Sequence, residues 1–240
     1  MSHLVVLTGA GVSAESGIRT FRDGDGLWEN HRIEDVATPE AWHRDPETVL
    51  AFYDERRRQV RAAQPNAAHM ALAALENEGF RVSIVTQNID DLHERAGSRS
   101  VLHLHGEILK ARSSADPRLI YRLADDEDIR PGDHCDRGSQ LRPHVVWFGE
   151  TVPLYGTACD VVADADLVLV VGTSLAVAPA SALVNEAEWH VPRILVDPAA
   201  EEVAPRGVTT MATSATEGVS RLADYWRQHR RLELPDFLAD

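Results

Sequence analysis

LVVLTGAGVSA, residues 4–14, runs from an apolar stretch through two glycines into a helix-like segment. The stretch Leu4 to Leu7 carries no polar alternation, the pattern of a strand covered on both faces. Gly9, Gly11 and Ala14 then match G-x-G-x-x-A, the form of a dinucleotide-binding turn when it follows a strand. The glycines let the backbone approach a pyrophosphate, and the amides of a following helix start attract its charge. Gly-rich strand ends are common, so the turn alone does not decide between a ligand and plain packing. The sequence also departs from the usual scheme, in which a ribose-binding acid on a second strand follows roughly 20 residues on. Here the chain continues ESGIRTFRDGDGLW, and the next convincing strand begins only near Arg81. A long loop over the nucleotide is expected, which excludes the layout of an ordinary dehydrogenase.

Further strands read at RVSIVTQN (81–88), LHLHG (102–106), HVVWFG (144–149), DLVLVVGTS (166–174) and RILVDP (193–198). Between them lie helical patterns at AAHMALAALENEG (67–79), SALVNEAEWH (181–190) and TEGVSRLADYWRQHRR (216–231). This alternation predicts an α/β fold, a doubly wound parallel sheet of Rossmann-like form. Residues 31–65 carry a long helical pattern without a strand, and 109–143 are polar and weakly periodic. The expected division is a nucleotide-binding domain of 1–30, 66–108 and 144–240, with 31–65 and 109–143 forming a small inserted second lobe. Polar clusters recur at strand ends: Gln87-Asn88-Ile89-Asp90, His105-Gly106 and Gly172-Thr173-Ser174. Ligands of open α/β sheets bind at that edge.

Composition narrows the class. Apolar residues at 44% and charged residues at 26% describe an ordinary folded chain, and its 240 residues suit one large domain or a domain with an insert. The formal charge is −14, from 38 acidic against 24 basic residues, which disfavours nucleic acid and anionic membranes and suits lysine-rich protein partners. No apolar run approaches the ~20 residues that span a bilayer, and no basic leader precedes the first strand. Two cysteines make no disulfide framework, so a reducing, cytoplasmic location is expected.

The motifs GAGVSAESGIRTFR (9–22), TQNIDDLHERAG (86–97), HLHGE (103–107), VVWFGE (145–150) and GTSLAVAPA (172–180), in this order, resemble those of the sirtuins, NAD-dependent protein-lysine deacylases. Thr20 and the FYDERR stretch look like the bacterial and mitochondrial branch that accepts acidic acyl groups. The resemblance implies that Gly9, Ala10, Gly11, Ala14, Thr20, Phe21 and Arg22 surround the phosphates and nicotinamide ribose of NAD. It implies that Gln87, Asn88, Ile89 and Asp90 line the nicotinamide pocket. Gly172, Thr173 and Ser174 would hold phosphate and adenine ribose, with Ala215 against the adenine. Asp197 stands where most relatives carry asparagine, and it could accept a ribose hydroxyl but not donate as an amide does. His105 would be the general base, with Asn88 and Asp90 completing the catalytic set. A histidine titrating near neutral pH suits removal of a proton from a ribose hydroxyl, a step for which positioned bases give about 10²–10⁴-fold. The acyl group would leave on ADP-ribose and the lysine would be freed. His103 is read as structural. Val146, Trp147 and Phe148 would wall the acyl-lysine tunnel, with Gly149 and Glu150 completing the substrate segment. The partners implied are acylated lysines of cytoplasmic proteins.

In PETVLAFYDERRRQV (46–60), Val49, Tyr53, Arg56 and Val60 fall on one helical face. From spacing alone, Arg56 would snorkel or pair with Asp54 or Glu55. The resemblance instead matches Tyr53 and Arg56 to a Tyr-x-x-Arg pair that holds the distal carboxylate of succinyl- or malonyl-lysine, a task suited to the guanidinium fork. Most sirtuins also carry two C-x-x-C pairs for a structural zinc. Here those places fall near Ser113 and Asp116, and near His134 and Arg137 with Cys135 out of phase. Zinc is therefore not expected, and Leu119, Ile120, Tyr121, Leu123 and Ile129 are the apolar anchors available to the lobe. Two other readings stay open: a mono-ADP-ribosyltransferase using the same NAD site, and a non-catalytic NAD-binding module.

Overall fold

The computed structural model describes residues 2–19 and 31–238, and the backbone of 27–28. In chain order the strands are β1 His3–Thr8, β2 Leu27–Trp28, β3 His31–Arg32, β4 Arg81–Thr86, β5 Val101–His103, β6 Gly106–Ser113, β7 Ile120–Arg122, β8 Leu141–Val145, β9 Leu167–Val171, β10 Arg193–Val196 and β11 Thr209–Met211. Six of them form one parallel sheet in the order β11-β10-β9-β1-β4-β5. From β1 the chain builds outward through β4 to β5, then returns to β1's other side with β9. The strand order therefore reverses between β1 and β9, where an open α/β sheet forms its crevice.

The unalternating apolar runs follow from the two covers of this sheet. On β1, Leu4 and Val6 join one hydrophobic cluster while Val5 and Leu7 join the other. On β9, Leu167, Leu169 and Val171 face the first cluster, and Val168 and Val170 the second. The first cluster is closed by the helices Ala67–Asn77 and Ala215–His229 through Leu72, Leu75, Leu222 and Trp226. The second is closed by the helix Tyr155–Ala163 and the 3₁₀ turn Ala180–Asn185. Fully burying each such side chain contributes about 1.5–3 kcal/mol before entropy is counted. The doubly wound α/β reading therefore holds.

Three local readings need correction. The HVVWFG stretch is not a strand of the parallel sheet: β8 ends at Val145 and pairs antiparallel with β6, which in turn pairs with β7. An apolar run buried by a helix on a small sheet looks in sequence like one buried in a large sheet. The LHLHG strand stops at His103. SALVNEAEWH forms a 3₁₀ turn ending at Asn185 rather than an α-helix. Among the described residues, no helix is long and apolar enough to cross a membrane.

The long helix Pro46–Ala62 packs against the antiparallel sheet. Asp45 caps it by accepting from Thr48 N–H, and Pro46 occupies the first turn, where it costs no hydrogen bond. Val49, Tyr53, Arg56 and Val60 are all buried, as their shared face requires. Arg57, also fully buried, donates to Ile108 C=O at 2.8 Å and pairs with Asp54, which accepts in turn from Ile129 N–H at 3.2 Å. Of the five apolar anchors expected for the lobe, Leu123 and Ile129 are buried in a cluster with Leu50 and Ala111. Leu119 and Tyr121 are only half-buried and Ile120 is 44% exposed, because β7 is an edge strand.

The places that would carry zinc ligands are otherwise occupied. Cys135 Sγ lies 3.3 Å from Ser113 Oγ as a hydrogen-bond donor. Asp116 is bridged by Arg137 at 2.8 Å and Arg118 at 2.9 Å, cations that a metal ligand set would exclude. Among the described residues, no group of three His, Cys, Asp or Glu could hold a metal ion. These residues do not fit a structural zinc.

A buried histidine pair lies directly beneath the glycine turn. Asn66 caps its helix while its side-chain amide donates to Val12 C=O at 2.8 Å and Ser16 Oγ at 3.0 Å, fixing the chain just after the turn. His69, in a capping box with Asn66, has its ring centre 4.7 Å from that of His93 with the planes tilted by 58°, and His93 Nε2 meets Thr8 Oγ1 at 3.2 Å. Burial drives His69 down to about 4 and His93 well below its ordinary range. The unfolded chain titrates near 6.5 and so binds the proton first as pH falls. Wild type should therefore lose stability relative to His69→Gln between pH 6.5 and 4, by up to roughly 3 kcal/mol. Urea unfolding of both proteins across that range measures the difference, and a pH-independent difference would contradict it.

Candidate active site

The switch point between β1 and β9 opens into a cleft of about 640 Å³. Its base is made by strand ends that touch. Gly9 N–H donates to Val171 C=O at 3.0 Å, and Gly11 N–H to Gly172 C=O at 2.8 Å. A Cβ on Gly11 would sit 2.6 Å from Gly172 Cα, and one on Gly9 would sit 2.7 Å from Thr173 Cβ. Gly172 itself holds φ +62 with Val12 N packed against it, so no side chain fits there. The helix after the turn spans only Gly11–Ala14, and the Gly11 amide already has a partner. Packing of the two strand ends, more than a helix dipole, is thus what these glycines serve. Gly172→Ala should destabilise the fold by about 2 kcal/mol or more through strain and displacement of Val12. Denaturant titration checks this, and a loss under about 0.5 kcal/mol would contradict it.

Every predicted site residue among those described lines this one cleft. Gly9, Ala10, Gly11 and Ala14 come from the turn, Gln87 to Asp90 from the end of β4, and His105 from the segment after β5. Gly172, Thr173, Ser174, Asp197 and Ala215 come from the ends of β9 and β10 and the start of the last long helix. Tyr53, Arg56 and Val146 to Glu150 line its other side. Thr20, Phe21 and Arg22 lie outside the described residues.

Ser13, which the sequence reading passed over, sits at the centre of a buried network. Its hydroxyl donates to Asp90 Oδ2 at 3.0 Å and accepts from Asn88 Nδ2 at 3.1 Å. Asp90 Oδ1 also accepts Leu92 N–H at 3.1 Å. Burial still pushes the Asp90 carboxyl up against these donors. The available signal was a serine inside an otherwise apolar, tightly packed turn. Glu15, also unpredicted, lines the cleft and accepts from the backbone and hydroxyl of Thr216 at 3.0 and 2.7 Å, tying the turn to the last long helix.

His105 Nδ1 lies 3.0 Å from Gln87 C=O. A carbonyl can only accept, so Nδ1 carries the hydrogen and the neutral ring keeps its lone pair on Nε2. Burial lowers this histidine, only partly offset by the Gln87 bond, so the ring is neutral at pH 7. His103 is different. Its ring nitrogens face Glu94 Oε1 at 2.7 Å and Asn88 C=O at 3.2 Å, both acceptors. Burial opposes a charge there, but the bond and charge of Glu94, with Glu107 and the Asn88 carbonyl, together raise His103. The two neighbouring histidines are therefore shifted in opposite directions, and His103 ties Glu94 to the Asn88 carbonyl.

On the opposite wall, Tyr53 and Trp147 are joined by an indole N–H donated to the phenol oxygen at 3.0 Å. Asp54 and Glu55, the acids beside Arg56 in sequence, are engaged by Arg57 and Arg58. Glu150 accepts from Arg142 at 2.8 and 3.0 Å, from Arg112 at 3.0 Å and from Trp147 N–H at 2.8 Å. Its carboxylate thereby holds the turn that follows β8, in which Gly149 adopts φ +87. Val146 N–H reaches His105 C=O at 2.9 Å, and Phe148 is 40% exposed at the cleft.

Residues 9–179 match the Sir2 family. A Helicobacter pylori protein named NAD-dependent protein deacylase is 50% identical over 223 residues, covering 92% of this chain and 96% of its own. One of the same name from Aggregatibacter actinomycetemcomitans is 56% identical over 194 residues, covering 81% and 92%. A crystal structure of a Sir2 homologue–NAD complex superposes with a TM-score of 0.84 at 42% identity, covering 95% of this chain and 90% of the other. The chain belongs to the Sir2 family. It is an enzyme, with the parallel sheet and second antiparallel sheet of that family's fold.

Proposed function

We propose that this enzyme is an NAD-dependent protein-lysine deacylase that removes acetyl groups and also succinyl and malonyl groups. The observation that carries the reading is one cleft that holds the glycine turn, His105 and the Tyr53–Arg56 pair together. NAD, as co-substrate, supplies an electrophilic ribose carbon and nicotinamide as leaving group, so that the acyl group ends on ADP-ribose. The glycine turn with Gly172, Thr173 and Ser174 fits its phosphates, and Asp197 and Ala215 its adenosine end. Asn88 and Asp90, held by Ser13, fit the nicotinamide end. Neutral His105, with its lone pair on Nε2, takes the proton of a ribose hydroxyl.

Val146 and Trp147 border the stem of the acylated lysine, and Tyr53 and Arg56 face its acyl end. Phenol and guanidinium both donate hydrogen bonds, which suits a carboxylate there and leaves acetyl unanswered. The substrates are acylated lysines of cytoplasmic proteins. The domain of 1–30, 66–108 and 144–240, which holds the parallel sheet and also the first residues of β6 and the last of β8, supplies the co-substrate side, and the lobe of 31–65 and 109–143 supplies Tyr53 and Arg56. Transfer of ADP-ribose to another acceptor is less favoured, because the apolar wall fits a methylene stem.

Three outcomes test this. His105→Ala should lower kcat by about 10²–10⁴-fold while NAD still binds by titration calorimetry, and retained turnover would remove its role. The acid limb of the kcat/KM profile should fall below pH 6.5, since a base lowered by burial stays active until it is protonated. Arg56→Met should lower the ratio of succinyl to acetyl turnover on one peptide by at least tenfold, the value of a charged hydrogen bond being about 1.5–3 kcal/mol. An equal fall in both would sink the acyl assignment.

A further inference from the structure

Tyr53 is fully buried on the long helix, and Trp147 is nearly so on the turn after β8. The indole Nε1–H donates to the Tyr53 oxygen at 3.0 Å. Indole nitrogen is a donor only, so this bond cannot reverse. A phenol hydrogen prefers the ring plane and has two positions there. With Trp147 donating to the oxygen, the hydrogen takes the position turned away from the indole. Tyr53 is thus set to donate elsewhere, and burial raises its phenol, which keeps the proton on it.

The indole has little freedom to relax. The Arg142 guanidinium lies 3.2 Å from the centre of its ring, and Trp42 packs at 5.8 Å. Arg142 is pinned by Glu150, and Glu150 also accepts the Trp147 backbone N–H at 2.8 Å. The arrangement therefore runs from Glu150 through Arg142 to Trp147 and ends at the Tyr53 hydroxyl.

We infer that Trp147 is the positioning residue for acyl choice, fixing the Tyr53 hydroxyl as a donor toward an acidic acyl terminus. This rests on the reading that Tyr53 and Arg56 hold that terminus. A carboxylate gains from an oriented donor, whereas an acetyl methyl does not. Losing the orientation should therefore change the preference between acyl groups and not only the overall rate.

The test is a double-mutant cycle of wild type, Trp147→Phe, Tyr53→Phe and the double variant. Each is assayed for kcat/KM on succinyl- and acetyl-lysine forms of one peptide at saturating NAD. Trp147→Phe should lower the succinyl-to-acetyl ratio roughly tenfold, mainly through KM for the succinyl peptide. In the Tyr53→Phe background the same change should move the ratio by less than about twofold, because the hydroxyl to be oriented is gone. An unchanged ratio in the single variant, or an equal shift in both backgrounds, overturns the inference. Arg56→Met, assayed alongside, separates the two levels. If it leaves the ratio unchanged, the acyl reading and this inference fall together; if it is selective and Trp147→Phe is not, only the inference falls. Should Trp147→Phe fail to fold, ¹⁵N-indole NMR of wild type and Tyr53→Phe decides the matter. The Trp147 N–H resonance should shift and lose exchange protection in Tyr53→Phe, and an unmoved resonance overturns the inference.

Discussion

The contact on which the site depends is the one between two strand ends, Gly9–Gly11 of one and Gly172–Thr173 of the other. Parallel strands sit about 4.8 Å apart along their length, but their following loops normally diverge. Here backbone hydrogen bonds from Gly9 and Gly11 hold the loops together past the end of the sheet. Ser13 is thereby set against Asn88 and Asp90 on the next strand end. Side chains on these glycines would separate the two loops and move Ser13 away from its partners. The glycine pattern is thus a packing requirement first, and its openness to a dinucleotide is a consequence of that packing.

The antiparallel lobe relies on a different device, charge buried with partners. Arg57 is fully enclosed yet finds Asp54 and the Ile108 carbonyl, while Asp54 also takes the Ile129 amide. Arg112, Arg142 and Glu150 form a second such group around Trp147. Replacing a well-formed buried pair by apolar residues is often neutral or stabilising, so such clusters are weak evidence of stability. What they do provide is geometry, since removing one partner leaves an uncompensated charge costing about 3–5 kcal/mol. The pairs of Asp116 with Arg118 and Arg137 differ, because both guanidinium groups are exposed and such pairs contribute little to stability. The buried apolar core of the lobe is Leu50, Ala111, Leu123 and Ile129.

Much of this was legible in the sequence because burial on two faces leaves a direct trace. Leu4 to Leu7 and Leu167 to Val171 read as central strands from their unbroken apolar character, and they are central. The shared buried face of Val49, Tyr53, Arg56 and Val60 was legible from helical spacing, but spacing alone pointed Arg56 to Asp54 or Glu55, and only the resemblance suggested a ligand for it. The sheet to which a strand belongs was not legible. HVV reads as buried whether its cover is a second helix layer or the Pro46–Ala62 helix, and periodicity carries no information on partners. Ile120 and Leu119 look like core residues until β7 proves to be an edge. Ser13 and Glu15 were missed for a related reason: both act on residues remote in sequence, Asp90 and Thr216, and a local window cannot see them.

His105 is held from both halves of the molecule. Its ring nitrogen is fixed by Gln87 at the end of the parallel sheet, and its carbonyl accepts Val146 N–H from the segment leaving the antiparallel one. The same segment continues into Trp147, whose indole fixes Tyr53. A shift of the antiparallel sheet relative to the parallel one would therefore disturb the tautomer-setting bond of His105 and the orientation of Tyr53 together. The Gln87 bond to His105 and the Trp147 bond to Tyr53 are linked through two residues of backbone. A loop of this kind is held by the half-buried Glu150 and its arginines at one end and a left-handed glycine near it, Gly149, rather than by regular structure. A single short motif, VVWFGE, thus carries cleft-lining apolar side chains, an indole donor and a charged anchor at once, and adjacency in the chain is the most direct way to keep each in position relative to the others.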